Sequence, residues 1–265
     1  MRDLPYYLMI GACRTWLTLS DFRFVTRGTE HVPRTGGAVL AINHISYVDF
    51  IMAGYGAREA GRLPRYMAKR ETFDHPVTGP VMRSLHHISV DRADGQASYD
   101  EAVRYLREGE VVGVFPEATI SRSFLVKELK SGAVRMAADA DVPLVPLVLW
   151  GTQRLFTKDH PRDLSRHKTI SVTVGEPLDP HGAPAVLRTR ELREAMSAML
   201  DTAIREYPEE EQPPGSWWLP AAYGGSAPTP ERAAELDREE LRRRAARQRQ
   251  RRAGRRAGRR APRSS

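Results

Sequence analysis

Apolar and polar residues form two kinds of pattern along the chain, and segments with the two patterns alternate. Short apolar runs typical of buried or half-buried strands occur at 38–42, 111–115 and 169–175. Segments whose apolar residues recur every three or four positions lie between and after them, most clearly at 98–108 and 189–206. Strands that alternate with helices predict an α/β fold, with a mixed, mostly parallel sheet flanked by helices.

Weaker patterns predict the remaining elements. The expected strands are 22–28, 65–69, 87–90 and 142–150, and the expected helices are 46–57, 71–86 and 127–140. Two prolines in 142–150 favour an edge strand or an irregular segment, because proline cannot donate to a sheet ladder. The pairs Ser46/Asp49 and Ser98/Glu101 have the spacing of capping boxes, which predicts that a helix begins at each serine.

Composition divides the chain into four parts. Residues 1–20 are apolar with interspersed Tyr and Trp, which predicts either a helix at a membrane interface or a helix packed on the domain. Residues 21–207 contain the alternating elements and form one folded domain. Residues 208–229 are rich in Pro and Gly and predict a linker, and 230–265 predict a charged helix followed by a disordered Arg-rich tail.

The basic character of the chain belongs to its tail. The formal net charge is +8, and residues 231–265 contain 14 Arg against 5 Asp and Glu. The rest of the chain is therefore near neutral. Such a tail suits anionic lipid headgroups, and it could also contact nucleic-acid phosphates without sequence preference.

The single cysteine, Cys13, excludes a disulfide within this sequence and fits a reducing compartment. No apolar run reaches the ~18 residues of a transmembrane helix.

The stretch NHISYVD at 43–49 stands where a buried strand ends and an apolar helix begins. A structural interpretation is available, because a carboxylate such as Asp49 is favoured in a first helical turn and His44 could be an ordinary turn residue. Within one regular helix the two side chains would point ~140° apart. They can meet if His44 lies in the turn before the helix and folds back. Open α/β sheets place their chemistry in such turns, so the pair is a candidate base and orienting carboxylate.

Further charged clusters follow other predicted strands. HHISVDR ends in Arg92, and KELKSGA contributes Lys127 and Lys130. The stretch FPEATISRS, at 115–123, contributes Glu117, Thr119, Ser121 and Arg122. An Arg and a Lys that converge from separate loops, together with hydroxyls and helix N-terminal amides, can hold a phosphate group.

In this order and spacing the motifs resemble those of the glycerolipid acyltransferases, the PlsC-type 1-acylglycerol-3-phosphate acyltransferase family. NHISYVD matches the first motif, a His and an Asp separated by four residues, and ISVDR resembles the second. FPEATISRS is similar to the third, usually FPEGTRS, but has Ala118 and Ile120 where Gly and Arg are usual. Arg122 is close enough to replace that arginine. KSGA and VPLVPL complete a likeness that covers about residues 22–176.

The resemblance implies an acyltransferase domain at 21–207 with the glycerolipid acyltransferase fold. It implies transfer of an acyl group from acyl-CoA, or from acyl carrier protein, to a free hydroxyl of a lysophosphatidate-like glycerolipid during phospholipid synthesis. The enzyme would act peripherally at the cytoplasmic face of a membrane, with His44 as general base and Asp49 as its partner. No metal or resident cofactor is expected. The residues expected to bind the acceptor are Arg92, Glu117, Thr119, Ser121, Arg122 and Lys130.

Other functions remain open at the level of the sequence. The chain could be a nucleic-acid-binding or scaffold protein that acts through its Arg-rich tail, although the body has no basic, aromatic RNA-binding motif. It could also acylate another lyso-lipid or a glycolipid, or bind lipid without activity. The presence of both His44 and Asp49 argues against loss of activity.

Overall fold

The computed structural model describes residues 3–91 and 94–260, and a seven-stranded sheet forms its centre. The strands are β1 (Arg23–Arg27), β2 (Ala38–Ile42), β3 (Arg65–Lys69), β4 (Ile88–Val90), β5 (Val111–Val114), β6 (Leu144–Trp150) and β7 (Thr169–Val174). The α-helices are α1 (Leu4–Leu19), α2 (Asp49–Arg58), α3 (Arg70–Asp74), α4 (Thr78–Ser84), α5 (Gly95–Arg107), α6 (Gly132–Ala140), α7 (Ala185–Arg205) and α8 (Pro230–Arg260).

The strands lie in the order β1-β7-β6-β2-β5-β3-β4. Every neighbouring pair is parallel except β6 with β7, which confirms the predicted mixed, mostly parallel sheet. Successive side chains of β2 point to opposite faces. Val39 and Ala41 enter the core beneath α5, α6 and α7, whereas Leu40 and Ile42 enter the core beneath α1 and α2. Helices therefore cover both faces of the sheet.

Strand β6 lies inside the sheet, between β7 and β2, and the predicted edge position was wrong. All seven of its residues are buried. Pro146 is tolerated because its nitrogen faces β7 just before the ladder with β7 begins, at the pair Leu147 and Val174. The carbonyl on the same side of Pro146 still accepts a hydrogen bond from the Gly175 amide at 2.9 Å. The missing N–H is therefore not needed by the ladder.

Several helix boundaries differ from those predicted. The expected helix 71–86 is divided into α3 and α4, because His75 precedes Pro76 and is held in an extended conformation. Helix α5 begins at Gly95, and the Ser98 hydroxyl donates to the Gly95 carbonyl at 3.0 Å instead of capping a helix. Helix α6 begins at Gly132, five residues later than expected. The capping signal at Ser98 thus placed the start of α5 three residues too late.

Helix α1 packs on the domain along one side and exposes apolar residues on the other. Tyr6 and Leu17 are buried, and the Tyr6 hydroxyl donates to the Pro64 carbonyl at 2.8 Å. The exposed apolar residues of α1 are Leu4, Tyr7, Leu8 and Leu19. Helix α1 thus packs on the domain and also leaves an apolar surface exposed, so a role at a membrane interface stays a prediction. Within residues 3–91 and 94–260, no helix is long and apolar enough to cross a membrane.

The predicted linker, 208–229, is packed against the domain. Trp218 and Leu219 are buried, and the Gln153 side-chain amide donates to the Trp218 carbonyl at 3.3 Å. Trp217 is only partly buried and stacks on the His160 ring, with 3.7 Å between ring centroids. The segment extends the core that α7 forms on one face of the sheet, so it is not a free tether.

The charged helix after this segment begins as predicted. Thr229 precedes α8, and its hydroxyl accepts a hydrogen bond from the Arg232 amide at 3.3 Å, with Pro230 as the first helical residue. The helix continues to Arg260, although the Arg-rich repeat predicts disorder in this part of the chain. Alanine and arginine are strong helix formers, which explains the continuation. Residues 261–265 lie outside the described part of the chain.

Replacement of Trp218 tests whether 208–229 belongs to the domain core. We expect Trp218→Ala to lower the free energy of unfolding by about 3–5 kcal/mol, as for other buried tryptophans. Trp217→Ala, which removes a partly exposed ring from the next position, should cost clearly less. Urea denaturation followed by circular dichroism measures both. Equal small losses would show that the segment contributes little to stability.

Candidate functional site

His44 lies in the turn between β2 and α2, and its ring folds back onto the first residue of α2. His44 Nδ1 is 3.0 Å from Asp49 Oδ2. The same oxygen accepts hydrogen bonds from the amides of Ile45 at 2.8 Å and Ser46 at 2.7 Å. The Thr152 hydroxyl donates to Asp49 Oδ1 at 2.6 Å, and Asp49 is fully buried. The predicted meeting of His44 and Asp49 across the turn is confirmed.

The capping box predicted at Ser46 forms only in part. Helix α2 begins at Asp49, three residues later than expected. The Asp49 carboxylate accepts the Ser46 amide hydrogen, as a capping box requires, but the Ser46 hydroxyl donates to the Phe156 carbonyl at 2.6 Å. It accepts only the Val48 amide hydrogen, at 3.3 Å. The serine therefore ties the turn to the loop after β6, which no local pattern could indicate.

The imidazole of His44 is held on one side and open on the other. Its ring stacks on Phe115, with 4.3 Å between centroids, and the side chain is 21% exposed. Because Nδ1–H donates to Asp49, the neutral ring presents its lone pair at Nε2. Nε2 has no hydrogen-bond partner in the described part of the chain. The arrangement can take a proton from a bound group and stabilise the resulting imidazolium.

Glu117 ties the histidine turn to the loop after β5. Its Oε1 accepts a hydrogen bond from the His44 amide at 2.9 Å, and its Oε2 accepts one from the Lys127 amide at 3.2 Å. Burial raises the pKa of Glu117 to about 8, in spite of these two donors and the nearby Lys127 charge. The sequence predicted a substrate-binding residue, whereas the structure places this carboxyl in the interior, between two loops.

The next residues of the same loop are also fixed to the histidine turn. The Ser121 amide donates to the His44 carbonyl at 2.7 Å, and the buried Ser121 hydroxyl donates to the Leu125 carbonyl at 2.7 Å. Ser121 was predicted to bind substrate, but its hydroxyl lies inside the loop. Ala118 has φ of +60°, a left-handed conformation that glycine adopts at lower cost. This geometry explains why glycine is usual at this position of the motif.

Three cations lie together beside this loop. Arg122, Lys127 and Lys158 come from the loops after β5 and β6. The Lys158 ammonium donates to the Thr119 hydroxyl at 2.8 Å, so the predicted residues Thr119 and Arg122 belong to one cluster. The acidic partners of the cluster as a whole are Asp159, Asp237 and Glu240. We name Arg122, Lys127, Lys158 and Thr119 the cation cluster.

The cation cluster is paired mainly with helix α8. Lys127 Nζ is 2.5 Å from Asp237 Oδ2, and Lys158 Nζ is 3.0 Å from Glu240 Oε2. Arg122 contacts both of these carboxylates and also Asp159, at 2.5 Å. Partial burial opposes ionisation of Glu240, but hydrogen bonds from Lys158 and Arg122 prevail and lower its pKa to about 2. The cluster is thus compensated by ionised carboxylates.

Two predicted phosphate contacts are not in the cation cluster. Arg92 lies outside the described residues. Lys130 is exposed, and its ammonium has no hydrogen-bond or ion-pair partner among residues 3–91 and 94–260. Sequence reasoning missed Lys158 and Thr152. Both follow β6, whose carboxyl end lies beside that of β2 because the two strands are parallel neighbours in the sheet.

Metal ligands are not clustered in the described residues. No group of three or more His, Cys, Asp or Glu side chains among residues 3–91 and 94–260 could hold a metal ion. The expectation of catalysis without a resident metal or cofactor stays a prediction.

Comparisons with known proteins assign this α/β fold, with its histidine–aspartate pair at the end of β2, to the acyltransferases. The family model described as Acyltransferase matches residues 23–150. The 1-acyl-sn-glycerol-3-phosphate acyltransferase of Bacillus subtilis is 34% identical over 182 residues, which cover 67% of this chain and 84% of that protein. The chloroplastic LPAT1 enzyme of the same name from Arabidopsis thaliana is 26% identical, with 71% of this chain and 53% of that protein covered.

A solved structure shares the fold. The crystal structure of the 1-acyl-sn-glycerophosphate acyltransferase PlsC from Thermotoga maritima matches with a TM-score of 0.63 and 20% identity, over 75% of this chain and 81% of that one. The chain belongs to the PlsC-type 1-acylglycerol-3-phosphate O-acyltransferase family. The family resemblance predicted from the motifs is confirmed.

The raised pKa of Glu117 predicts a pH dependence of stability. A carboxyl whose pKa rises from 4.5 unfolded to about 8 folded stabilises the protein below pH 4.5, and this contribution is lost as the pH rises to about 8. Glu117→Gln should remove this part of the dependence. The free-energy difference between wild type and variant should therefore change by about 1 kcal/mol or more across this range.

Urea denaturation at several pH values measures the Glu117 effect. Glu128→Gln, at a side chain that is 89% exposed, is the matched control and should follow the wild type at every pH. Parallel pH profiles for wild type and Glu117→Gln would show that Glu117 titrates near its ordinary value.

Proposed function

We propose that the protein transfers an acyl group from an acyl thioester to the free hydroxyl of a lysophosphatidate-like glycerolipid. The observation that carries this proposal is the 3.0 Å contact between His44 Nδ1 and a fully buried Asp49, which leaves Nε2 as the open acceptor. The names of the relatives, which are 1-acylglycerol-3-phosphate acyltransferases, support this choice of acceptor. Acyl-CoA and acyl carrier protein both supply the required thioester.

The proposed reaction needs no covalent enzyme intermediate, because a thioester is already activated. His44 Nε2 takes the proton of the acceptor hydroxyl while the oxygen attacks the thioester carbonyl carbon. Asp49 stabilises the imidazolium that forms. The tetrahedral intermediate then collapses, the carbon–sulfur bond breaks, and the imidazolium returns its proton to the leaving thiolate. An ester and a free thiol result, and His44 is neutral again.

The cation cluster is the proposed site for the acceptor phosphate. Arg122 presents a fork of donors, and the two lysines add charge, which together suit a phosphate group. The cluster adjoins His44, because Glu117 and Ser121 of the same loop bond directly to the His44 backbone. A phosphate held there would anchor the glycerol backbone near the base. Arg92 and Lys130, which the sequence indicated, remain proposed contacts.

Action at a membrane surface is part of the proposal. The exposed apolar residues of α1 and the arginines of α8 suit the cytoplasmic face of a membrane with anionic lipids, with peripheral attachment. The same arginines gave the nucleic-acid alternative from the sequence. Membership of an acyltransferase family now favours the lipid function.

Removal of the base tests the mechanism. We expect His44→Ala to lower kcat by at least about 100-fold, the lower end for loss of a general base, with little effect on folding. Asp49→Asn should also lose activity, and its stability must be measured separately because Asp49 accepts four hydrogen bonds. His75→Ala, at an exposed histidine, is the control.

The assay for these variants uses purified protein with a panel of acyl-CoAs, acyl carrier protein thioesters and lyso-acceptors, with products identified by mass spectrometry. Near-normal turnover by His44→Ala would remove His44 from the mechanism. Acylation of another lyso-lipid or of a glycolipid, without acylation of lysophosphatidate, would contradict the proposed acceptor.

Two lysines provide a test of phosphate binding. The sequence indicated Lys130 as a phosphate contact, whereas the structure places Lys158 in the cation cluster. Lys158→Met should raise the acceptor KM about tenfold or more, the effect of losing a charge-assisted hydrogen bond of about 1.5–3 kcal/mol. The donor KM should change little. Lys130→Met, at an exposed lysine of the neighbouring loop, should have the smaller effect. Equal effects of Lys158→Met on both KM values would indicate a general structural role.

A further inference from the structure

Helix α8 has its charges divided along its length. Residues 231–241 contain all five of its acidic residues and two arginines, whereas residues 242–260 contain eleven arginines and no acidic residue. The first part is therefore net negative and the second strongly positive. Asp237 and Glu240 are three residues apart and share one face of the helix.

That acidic face lies on the cation cluster. Asp237 contacts all three cations, and Glu240 contacts Arg122 and Lys158 at 3.0 Å each. With the helix in place the side chains of Arg122 and Lys158 are only 7% and 10% exposed. The carboxylate oxygens thus use the donors that an acceptor phosphate would require. Helix and phosphate cannot occupy these donors together.

The helix is held there by charge more than by apolar packing. Ala233 is the only buried apolar residue of α8 among the residues whose burial is described, and Leu241 is 58% exposed. Among the side chains that the structure describes, those of Glu235 and Glu239 pair only within the helix, with Arg232 and Arg243. Separation of α8 from the domain therefore breaks ion pairs and exposes little apolar surface of the helix itself. Such a contact responds to competing charge.

We propose that α8 is a displaceable cover of the cation cluster, which an anionic membrane surface opens. This inference rests on the proposed function of the cluster as the site of the acceptor phosphate. The arginines of 242–260 are drawn to anionic lipids, Asp237 and Glu240 are carried away from the cluster with them, and the freed donors take the phosphate of the acceptor. The enzyme is thereby restrained away from the membrane that contains its acceptor.

The test compares two charge-matched double variants in the full chain. Asp237→Asn with Glu240→Gln removes the cover contacts, and Glu235→Gln with Glu239→Gln removes the same charge from elsewhere on the helix. With a soluble short-chain lysophosphatidate and no vesicles, the first variant should lower the acceptor KM about fivefold or more, within the usual range of coupling between sites. The control variant should match the wild type. Vesicles containing phosphatidylserine should lower the wild-type KM and leave that of the cover variant nearly unchanged.

A second measurement does not depend on activity. The rate of lysine acetylation, followed by mass spectrometry, reports the exposure of Lys158 relative to exposed Lys130. Lys158 should react faster in the cover variant, and faster in wild type when phosphatidylserine vesicles are added than with phosphatidylcholine vesicles. Unchanged Lys158 reactivity in both comparisons would show that α8 stays bound to the cation cluster and is not displaced. Opening by RNA and not by anionic vesicles would overturn the membrane part of the inference.

The two proposals fail differently. If the wild type transfers no acyl group to any acceptor, the proposed function fails, and the acetylation experiment still decides whether the cover opens. If the wild type is active but the cover variant has an unchanged or higher acceptor KM, the cover is not inhibitory. Thermal unfolding of both variants separates that result from loss of folding.

Discussion

The burial of the Asp49 charge is the constraint on which the site depends. An ionised carboxylate can be buried only if hydrogen-bond donors replace its lost water. Two donors, the Ile45 and Ser46 amides, fix the conformation of the turn after β2, and the third, Thr152, comes from the loop after β6. The remaining donor is His44, whose ring orientation follows. One carboxylate thus determines the turn, the start of α2 and the direction of the imidazole.

Glu117 lies on the other side of the same turn and has the opposite electrostatic character. It receives two backbone amide hydrogen bonds, and burial raises its pKa to about 8. Asp49 accepts hydrogen bonds from two amides, a hydroxyl and the imidazole, whereas Glu117 accepts only two, from amides, with the Lys127 charge nearby. A largely neutral Glu117 holds the turn without adding a second negative charge near His44.

What the sequence could predict follows from the range of the interactions. The fold class, the burial of β2 and the fold-back of His44 depend on residues within a few positions of one another, and patterns report such neighbours well. The interior position of β6 depends on where the β7 ladder begins, at Leu147, which is information from a distant strand. The Ser46 hydroxyl likewise chooses Phe156, 110 residues away, over the local cap. Motif resemblance indicated His44 and Asp49 as a candidate pair, but only tertiary contacts could bring Lys158 to the neighbouring cation cluster.

The cation cluster, as the proposed site of the acceptor phosphate, would share a general difficulty of sites that bind anions. Three cations close together repel one another and lose hydration, so the empty site is costly until counter-charge arrives. Here Asp159 and the acidic part of α8 provide that counter-charge from within the chain. If a phosphate binds there as proposed, the contact that lowers the energy of the unliganded cluster has to be broken. A helix with its acids at the cluster and its arginines beyond it answers both requirements, since a negatively charged surface that attracts the arginines also opposes the return of the acids.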